Sequence, residues 1–248
     1  MGETALSAVG VSKRYGSVVA LDDVTLEVAS GECVALVGES GSGKSTLLRV
    51  FNGLTALDAG EAFVGGRNLR AVDPVMLRRG LGYVPQDGGL LPHWTVARNA
   101  ALVPRLAGRP DAAELAAAAL DLVGLPPAEF GARWPHQLSG GQRQRVAIAR
   151  ALAAGASVVL LDEPFGALDA ITRSDLQAMF LALRQRSRTA ALLVTHDLHE
   201  ASRLADRIAV IRGGRLEQTS RPETLAAAPA TPYVAELLAR ARLGGGLA

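Results

Sequence analysis

Eight consecutive residues, Gly38-Glu39-Ser40-Gly41-Ser42-Gly43-Lys44-Ser45, constrain this chain more than any other segment. They match G-x-x-x-x-G-K-[ST], and the flanks are of the right kind. Glu32 to Val37 is a short apolar run that reads as a buried strand, and Lys44 to Phe51 continues at helical spacing. In that setting the glycines let the backbone curl until successive N–H groups face inward, toward phosphate oxygens, and the helix start adds positive dipole. Lys44 can reach the β- and γ-phosphates, and the Ser45 hydroxyl can ligate Mg²⁺; Thr46 completes the set expected against a nucleotide. A glycine-rich turn that binds nothing is the plainer alternative, and the strand, loop and helix order speaks against it.

A hydroxyl alone holds Mg²⁺ poorly, so an acidic residue is expected from another strand. Val158-Val159-Leu160-Leu161-Asp162-Glu163 supplies one: four apolar residues, then two carboxylates at the strand's carboxyl end, where open α/β sheets bind ligands. Asp162 reads as the Mg²⁺ residue. Glu163 reads as the group that polarises the water attacking the γ-phosphate. Without the cradle the pair would pass for two solvated carboxylates; with it, the two segments point to a nucleoside triphosphatase site.

Composition removes other classes. The chain has 248 residues, 26 Lys+Arg against 24 Asp+Glu, and 49% hydrophobic residues, which suits a globular domain and excludes intrinsic disorder. Lys13 and Lys44 are the only lysines, and the arginines are dispersed rather than gathered into the basic stripe that nucleic-acid binding needs. A single cysteine, Cys33, excludes an internal disulfide and a cysteine-rich metal site, and its place in an apolar strand makes it a buried, inert thiol. Residues 1–21 do not read as a signal peptide, and no apolar run reaches the roughly 18–20 residues a membrane helix requires.

Strand signals at Val18–Val28, Phe63-Val64, Gly80–Val84 and Ala191–Val194, with a hairpin of Ile208–Ile211 and Arg215-Leu216 around Gly213-Gly214, alternate with helical stretches. Those helices are expected at Ala112–Val123, from Leu138 to about Ala154, at Asp175–Arg186 and at Asp197–Ala205, while Leu243–Ala248 reads as loose. The expected fold is α/β with a mostly parallel sheet, an antiparallel N-terminal β portion and an inserted helical lobe. The lobe is expected at 87–154, with the nucleotide-binding core formed by 1–86 and 155–248.

Leu138-Ser139-Gly140-Gly141-Gln142-Arg143-Gln144-Arg145 narrows the class. A serine and two glycines at a helix start make a second place suited to an anion, and a two-fold dimer could join it to the cradle of another copy. Here the sequence resembles the ATP-binding cassette family, over nearly its whole length. The resemblance implies ATP as substrate, Mg²⁺ as cofactor, and two ATPs held between two copies, each by one cradle and the opposite Ser139, Gly140, Gly141 and Gln142. It also implies roles for residues that alone would not persuade. Tyr15 matches the aromatic that stacks on adenine, and Gln86 the glutamine that senses Mg²⁺ and the attacking water. Asp169 matches the aspartate that communicates across the dimer, and His196, in Thr195-His196-Asp197, the histidine near the γ-phosphate. The family often has serine where Gly166 stands. His93, His136 and His199 fit no such pattern and read as structural.

The resemblance further implies membrane permease subunits as partners at the cytoplasmic face, with a solute-binding protein acting through them and no nucleic acid. The apolar segment Gly88–Trp94 would receive a cytoplasmic helix of those subunits, unless Leu90, Leu91 and Trp94 simply pack under the helical lobe. Stretches such as Gly82–Gln86, Leu91-Pro92-His93 and Asp162–Arg173 resemble importers of quaternary-amine osmoprotectants. Importers of nitrate, sulfonates and taurine share much of the last stretch. Some osmoprotectant members carry a C-terminal regulatory module, and none is expected here. A soluble ATPase clamp for DNA or ribosomes is the other alternative; the motif set occurs once, without a heptad run.

Overall fold

The computed structural model describes residues 3–166, 168–186 and 189–244. The chain opens with β1 (Thr4–Tyr15), β2 (Val18–Ala29), β3 (Cys33–Val37), α1 (Lys44–Phe51), β4 (Ala59–Val64) and β5 (Arg67–Asn68). It continues through α2 (Pro74–Arg79), β6 (Gly82–Val84), α3 (Val96–Ala100), α4 (Leu102–Leu106), α5 (Ala112–Leu122), α6 (Pro127–Phe130) and α7 (Gly140–Ala153), then β7 (Val158–Asp162) and α8 (Ala170–Arg186). It ends with β8 (Ala190–Thr195), α9 (Leu198–Leu204), β9 (Arg207–Arg212), β10 (Arg215–Ser220), α10 (Pro222–Ala227) and α11 (Pro232–Gly244). The class is mixed α/β, as expected. Two compact units form: Met1–Pro74 with Ala190–Ala248, and Val75–Thr189.

In the first unit, β2, β1, β4 and β5 make an antiparallel sheet in that order. β3 lies between β8 and β9, parallel to both, and β10 returns antiparallel to β9 as the expected hairpin. All five residues of β3 and all six of β8 are buried, which is why both read as continuous apolar runs rather than alternating ones. The start of β3 is fixed by Asp206, whose Oδ2 accepts from Cys33 N at 2.7 Å while its own N donates to Cys33 O at 2.9 Å. Arg207 pairs with Glu32 at 3.1 Å beside it. Cys33 is fully buried, as expected of an inert thiol.

In the second unit, β6 and β7 run parallel, Gly82 opposite Val159 and Val84 opposite Leu161. α7 packs against α3, α5 and β6, so the helix that begins at the glycine pair is the unit's central post. α8 begins at Ala170 rather than Asp175, because the Asp169 carboxylate accepts from Thr172 N at 3.0 Å and starts the helix there. Among the described residues no helix is long and apolar enough to cross a membrane. Of the tail expected to be loose, α11 takes in the residues up to Gly244, and 245–248 lie outside the described residues.

Leu36, in β3 two residues before the cradle begins at Gly38, is fully buried. Leu36→Ala is expected to cost about 2–5 kcal/mol through lost burial and the cavity left behind, read as a lower denaturant midpoint with an unchanged m-value.

Candidate functional site

The first unit carries the cradle. Where β3 ends at Val37 the chain turns through residues 38–43 and enters α1 on Gly43. Gly43 has φ +109°, and a Cβ there would come within 2.4 Å of Ala20 O, so only glycine fits. With no side chain to cap its first turn, the positive end of α1 is left to other partners, and anions are what such an end favours. Lys44 is only 5% exposed, and its Nζ donates to Gly38 O and Glu39 O, each at 2.8 Å. The ammonium thus lies folded into its own loop rather than out in water. Gly214 N, in the β9–β10 turn, donates to Ser42 O at 2.9 Å and holds the loop from behind. Glu39, Ser40 and Gly41 are exposed at the rim, and Ser45 and Thr46 are half-buried in the first turn of α1.

His196 follows the last residue of β8 and is exposed. Its position is fixed on both sides: the Thr195 hydroxyl donates to Glu200 Oε2, and Asp197 caps α9 by accepting from His199 N and Glu200 N at 2.8 and 3.2 Å. Tyr15, at the end of β1, is 50% exposed, with its hydroxyl 3.3 Å from Thr55 Oγ1 and Lys13 Nζ 5.4 Å from the ring centroid. It presents half of its surface at the end of β1, opposite Val18 across the β1–β2 hairpin. Sequence reasoning missed α11, which reaches the cradle's rim: Arg240 Nη1 lies 3.4 Å from Glu39 Oε1, and His199 Nε2 lies 3.0 Å from Ala241 O.

The second unit brings Gln86 and Glu163 together. β7 ends on Asp162, which is 5% exposed, and Glu163 follows with φ +46°. A non-glycine residue in that region costs about 1–3 kcal/mol and persists where its surroundings enforce it, often at functional sites. Here the turn swings the Glu163 carboxylate toward Gln86, whose Nε2 donates to Glu163 Oε2 at 3.2 Å. Phe165, buried and edge-to-face with Phe180 at 6.2 Å, anchors the chain just beyond. Asp169 is exposed; the Thr172 amide and then the Thr172 hydroxyl, both donating to it, hold its carboxyl below the usual carboxylate range.

Ser139 caps α7 in a reciprocal box: its Oγ accepts from Gln142 N at 3.2 Å, and Gln142 Oε1 accepts from Ser139 N at 3.0 Å. The serine oxygen is an acceptor in this arrangement, so its own O–H can donate outward to an anion. Gly141 sits against α8: a Cβ there would fall 2.2 Å from Thr172 Cγ2. Arg143 and Arg145 are spent locally, on Leu138 O at 2.7 Å and Val123 O at 3.1 Å. Asn99, fully buried in α3, bonds through its side chain to Leu91 N and to the carbonyls of Leu91, Trp94 and Thr95. It fixes the loop of Leu91 and Trp94, and no sequence signal marked it.

The donors available to Mg²⁺ suit it. In the first unit Ser45 carries a hydroxyl oxygen; in the second Asp162 carries a carboxylate and Gln86 an amide oxygen, its Nε2 being engaged with Glu163. Each is a hard oxygen donor, the chemistry that Mg²⁺ accepts beside phosphate and water. Among the described residues no cluster of three or more His, Cys, Asp or Glu is placed to hold a metal by itself.

A family model described as ABC transporter matches residues 21–166. The choline transport ATP-binding protein OpuBA of Bacillus subtilis (strain 168) is 43% identical over 241 residues, covering 96% of this chain and 63% of the relative. The glycine betaine/carnitine/choline transport ATP-binding protein OpuCA of the same organism is 43% identical over 94% of this chain and 62% of its own length. This chain therefore spans less than two thirds of those two relatives. The sulfate/thiosulfate import ATP-binding protein CysA of Nocardia farcinica (strain IFM 10152) is 46% identical over 98% of this chain and 73% of its own. A solved dimeric ATP-binding cassette, in a post-hydrolysis state bound to ADP and Pi, superposes with a TM-score of 0.79 at 32% identity, covering 88% of this chain and 98% of that one.

Gly43→Ala is expected to abolish nucleotide binding, because the new methyl meets Ala20 O and forces the loop off the start of α1. The strain costs about 1–3 kcal/mol of stability. Equilibrium binding of a fluorescent ATP analogue, with a thermal melt of the same sample, checks both halves.

Proposed function

This chain belongs to the ABC transporter family, and on that premise we propose that it is the ATP-hydrolysing, energy-coupling subunit of a membrane importer, peripheral at the cytoplasmic face. The observation that carries the reading is one chain holding a lysine cradle, a Gln86–Glu163 pair and a serine-capped glycine helix. Gly38 to Thr46 bind the triphosphate, Lys44 neutralising the β- and γ-oxygens. Tyr15 stacks on the adenine; such stacking on nucleic-acid bases is worth about 1–3 kcal/mol. Ser45, Asp162 and Gln86 would hold Mg²⁺, which would supply neutralising charge to the phosphates. Glu163 polarises the attacking water, Gln86 holds that carboxylate in place, and His196 meets the γ-phosphate.

The site is completed by a second copy. Ser139, Gly140, Gly141 and Gln142 of one chain close over the nucleotide in the cradle of the other, and Asp169 lies at the seam. Donors preplaced around the γ-phosphate stabilise the transition state, and closure excludes water. ATP then draws the copies together and hydrolysis releases them, which does work through permease subunits docked on the Gly88–Trp94 segment. The expected division into a core of 1–86 and 155–248 with a helical lobe of 87–154 fits these roles.

For the cargo we favour quaternary-amine osmoprotectants, supported by the names of the OpuBA and OpuCA relatives. An oxyanion importer is the second reading, favoured by the 46% identity to CysA. None of the roles assigned here touches the cargo, so the test lies with the extracytoplasmic binding protein that serves the same permease. Calorimetric binding of choline or glycine betaine to it supports the first reading, and binding of sulfate supports the second.

Glu163→Gln is expected to keep ATP affinity and slow hydrolysis roughly 10²–10⁴-fold, so that a dimer persists in ATP on size-exclusion chromatography. Undiminished turnover would remove Glu163 from the reaction. Ser139→Ala is expected to spare nucleotide binding by the isolated chain and to damage hydrolysis. Mixing Ser139→Ala with Lys44→Ala chains should restore one intact composite site, and a mixture as inactive as its parts would refute the shared site.

A further inference from the structure

The turn that carries Gln86 is gripped from α7. Gly88 N donates to Pro85 O at 2.9 Å, closing a four-residue turn with Gln86 at its second position, and Gly89 N donates to Asp87 Oδ1 at 3.0 Å. Two consecutive carbonyls, of the turn's last residue and of the next, accept from a single side chain. Arg150 Nη1 donates to Gly89 O at 2.6 Å and Nη2 to Gly88 O at 2.8 Å. Arg150 is 7% exposed, near the C-terminal end of α7, the helix that Ser139 caps at its other end. Burial lowers the pKa of its guanidinium, and the neighbouring Asp87 carboxylate opposes the shift. A buried guanidinium is retained only where its donors are matched, and here two consecutive carbonyls match its fork. Farther along α7, Gln144 Oε1 and Ala147 Cβ lie 3.3 and 3.7 Å from the point a Gly88 Cβ would occupy, so the turn lies along one face of that helix.

We propose that Arg150 is a positioning residue for hydrolysis: its fork locks the turn at 85–89, aims Gln86 at Glu163, and makes that turn move with the Ser139-capped helix. Asn99 separately holds the part of the loop near Trp94, so Arg150 governs the part next to Gln86. The inference rests on the ATPase reading. It adds that the turn presenting Gln86 is held by the same helix that Ser139 caps.

The test uses the full chain and its Arg150→Ala, Arg150→Lys, Gln86→Ala and Gln86→Ala/Arg150→Ala variants. Steady-state ATP hydrolysis, hydrogen exchange of the peptide covering 85–91, and thermal melts are measured. Arg150→Ala is expected to lower kcat about 10- to 100-fold, as misplacement of a catalytic group does, with KM for ATP within about twofold. Arg150→Lys, whose ammonium cannot span both carbonyls, should melt near wild type yet give faster exchange at 85–91 and a kcat between the other two. If Arg150 acts through Gln86, the double variant is no slower than Gln86→Ala alone. A double variant slowed by the product of the two single losses, or Arg150→Lys with wild-type exchange at 85–91, would overturn the proposal. If Arg150→Ala fails to fold, Arg150→Lys carries the same double-mutant comparison. A wild-type chain that hydrolyses no ATP would instead overturn the functional reading, and the exchange comparison would still decide whether Arg150 holds the turn.

Discussion

An ammonium nearly sealed from water is stable only where oxygens surround it, and the Lys44 ammonium is surrounded by the carbonyls of its own loop. Much of the first unit serves that arrangement. β3, buried along its whole length between β8 and β9, delivers the chain to Gly38 at a fixed point. Gly43 lets α1 start against the Ala20 carbonyl, and the β9–β10 turn braces Ser42 from behind. The outcome is a concentrated positive field at the mouth of a short loop, directed at whatever anion enters. Two carbonyls of the loop hold the lysine at the cradle, where a bound phosphate would meet it.

The second unit solves a different problem, that of aiming carboxylates and glycines from the ends of rigid elements. Glu163 takes a left-handed backbone that costs energy, and the turn gains a carboxylate swung onto Gln86. Ser139 starts α7 with its oxygen accepting from Gln142 N, an arrangement in which its O–H can still donate. Asp169 does for α8 what Ser139 does for α7, with Thr172 shared between them: its amide meets Asp169, and its methyl closes on Gly141. The residues proposed for the site thus sit at helix starts, where side-chain oxygens cap, and at a strand end, where the chain must turn.

Much of this was legible in the residues themselves. β3, β7 and β8 announce themselves because strands buried on both faces are apolar without interruption, and the cradle because its spacing is fixed by phosphate geometry. β1 was not legible. Its inward residues Ala5, Leu6, Ala8 and Val11 are buried, but an irregularity between Ala8 and Val11 breaks the alternation, and Lys13 and Arg14 give the strand a polar end. The start of α8 was missed because a capping aspartate resembles any loop aspartate until its amide partner is known. The left-handed Glu163, the four bonds of Asn99 and the fork of Arg150 leave no periodic trace. Two of them also depend on residues distant in sequence: Glu163 meets Gln86, 77 positions away, and Arg150 meets Gly89 and Gly88, 61 and 62 positions away.

A reaction centre completed by a second copy has a kinetic signature that no self-contained site shares. ATP hydrolysis per chain, measured as the purified protein is diluted, is the most direct measurement of it. Specific activity that falls steeply with dilution and vanishes where light scattering finds only single chains is the predicted result. Full activity from those single chains would contradict it.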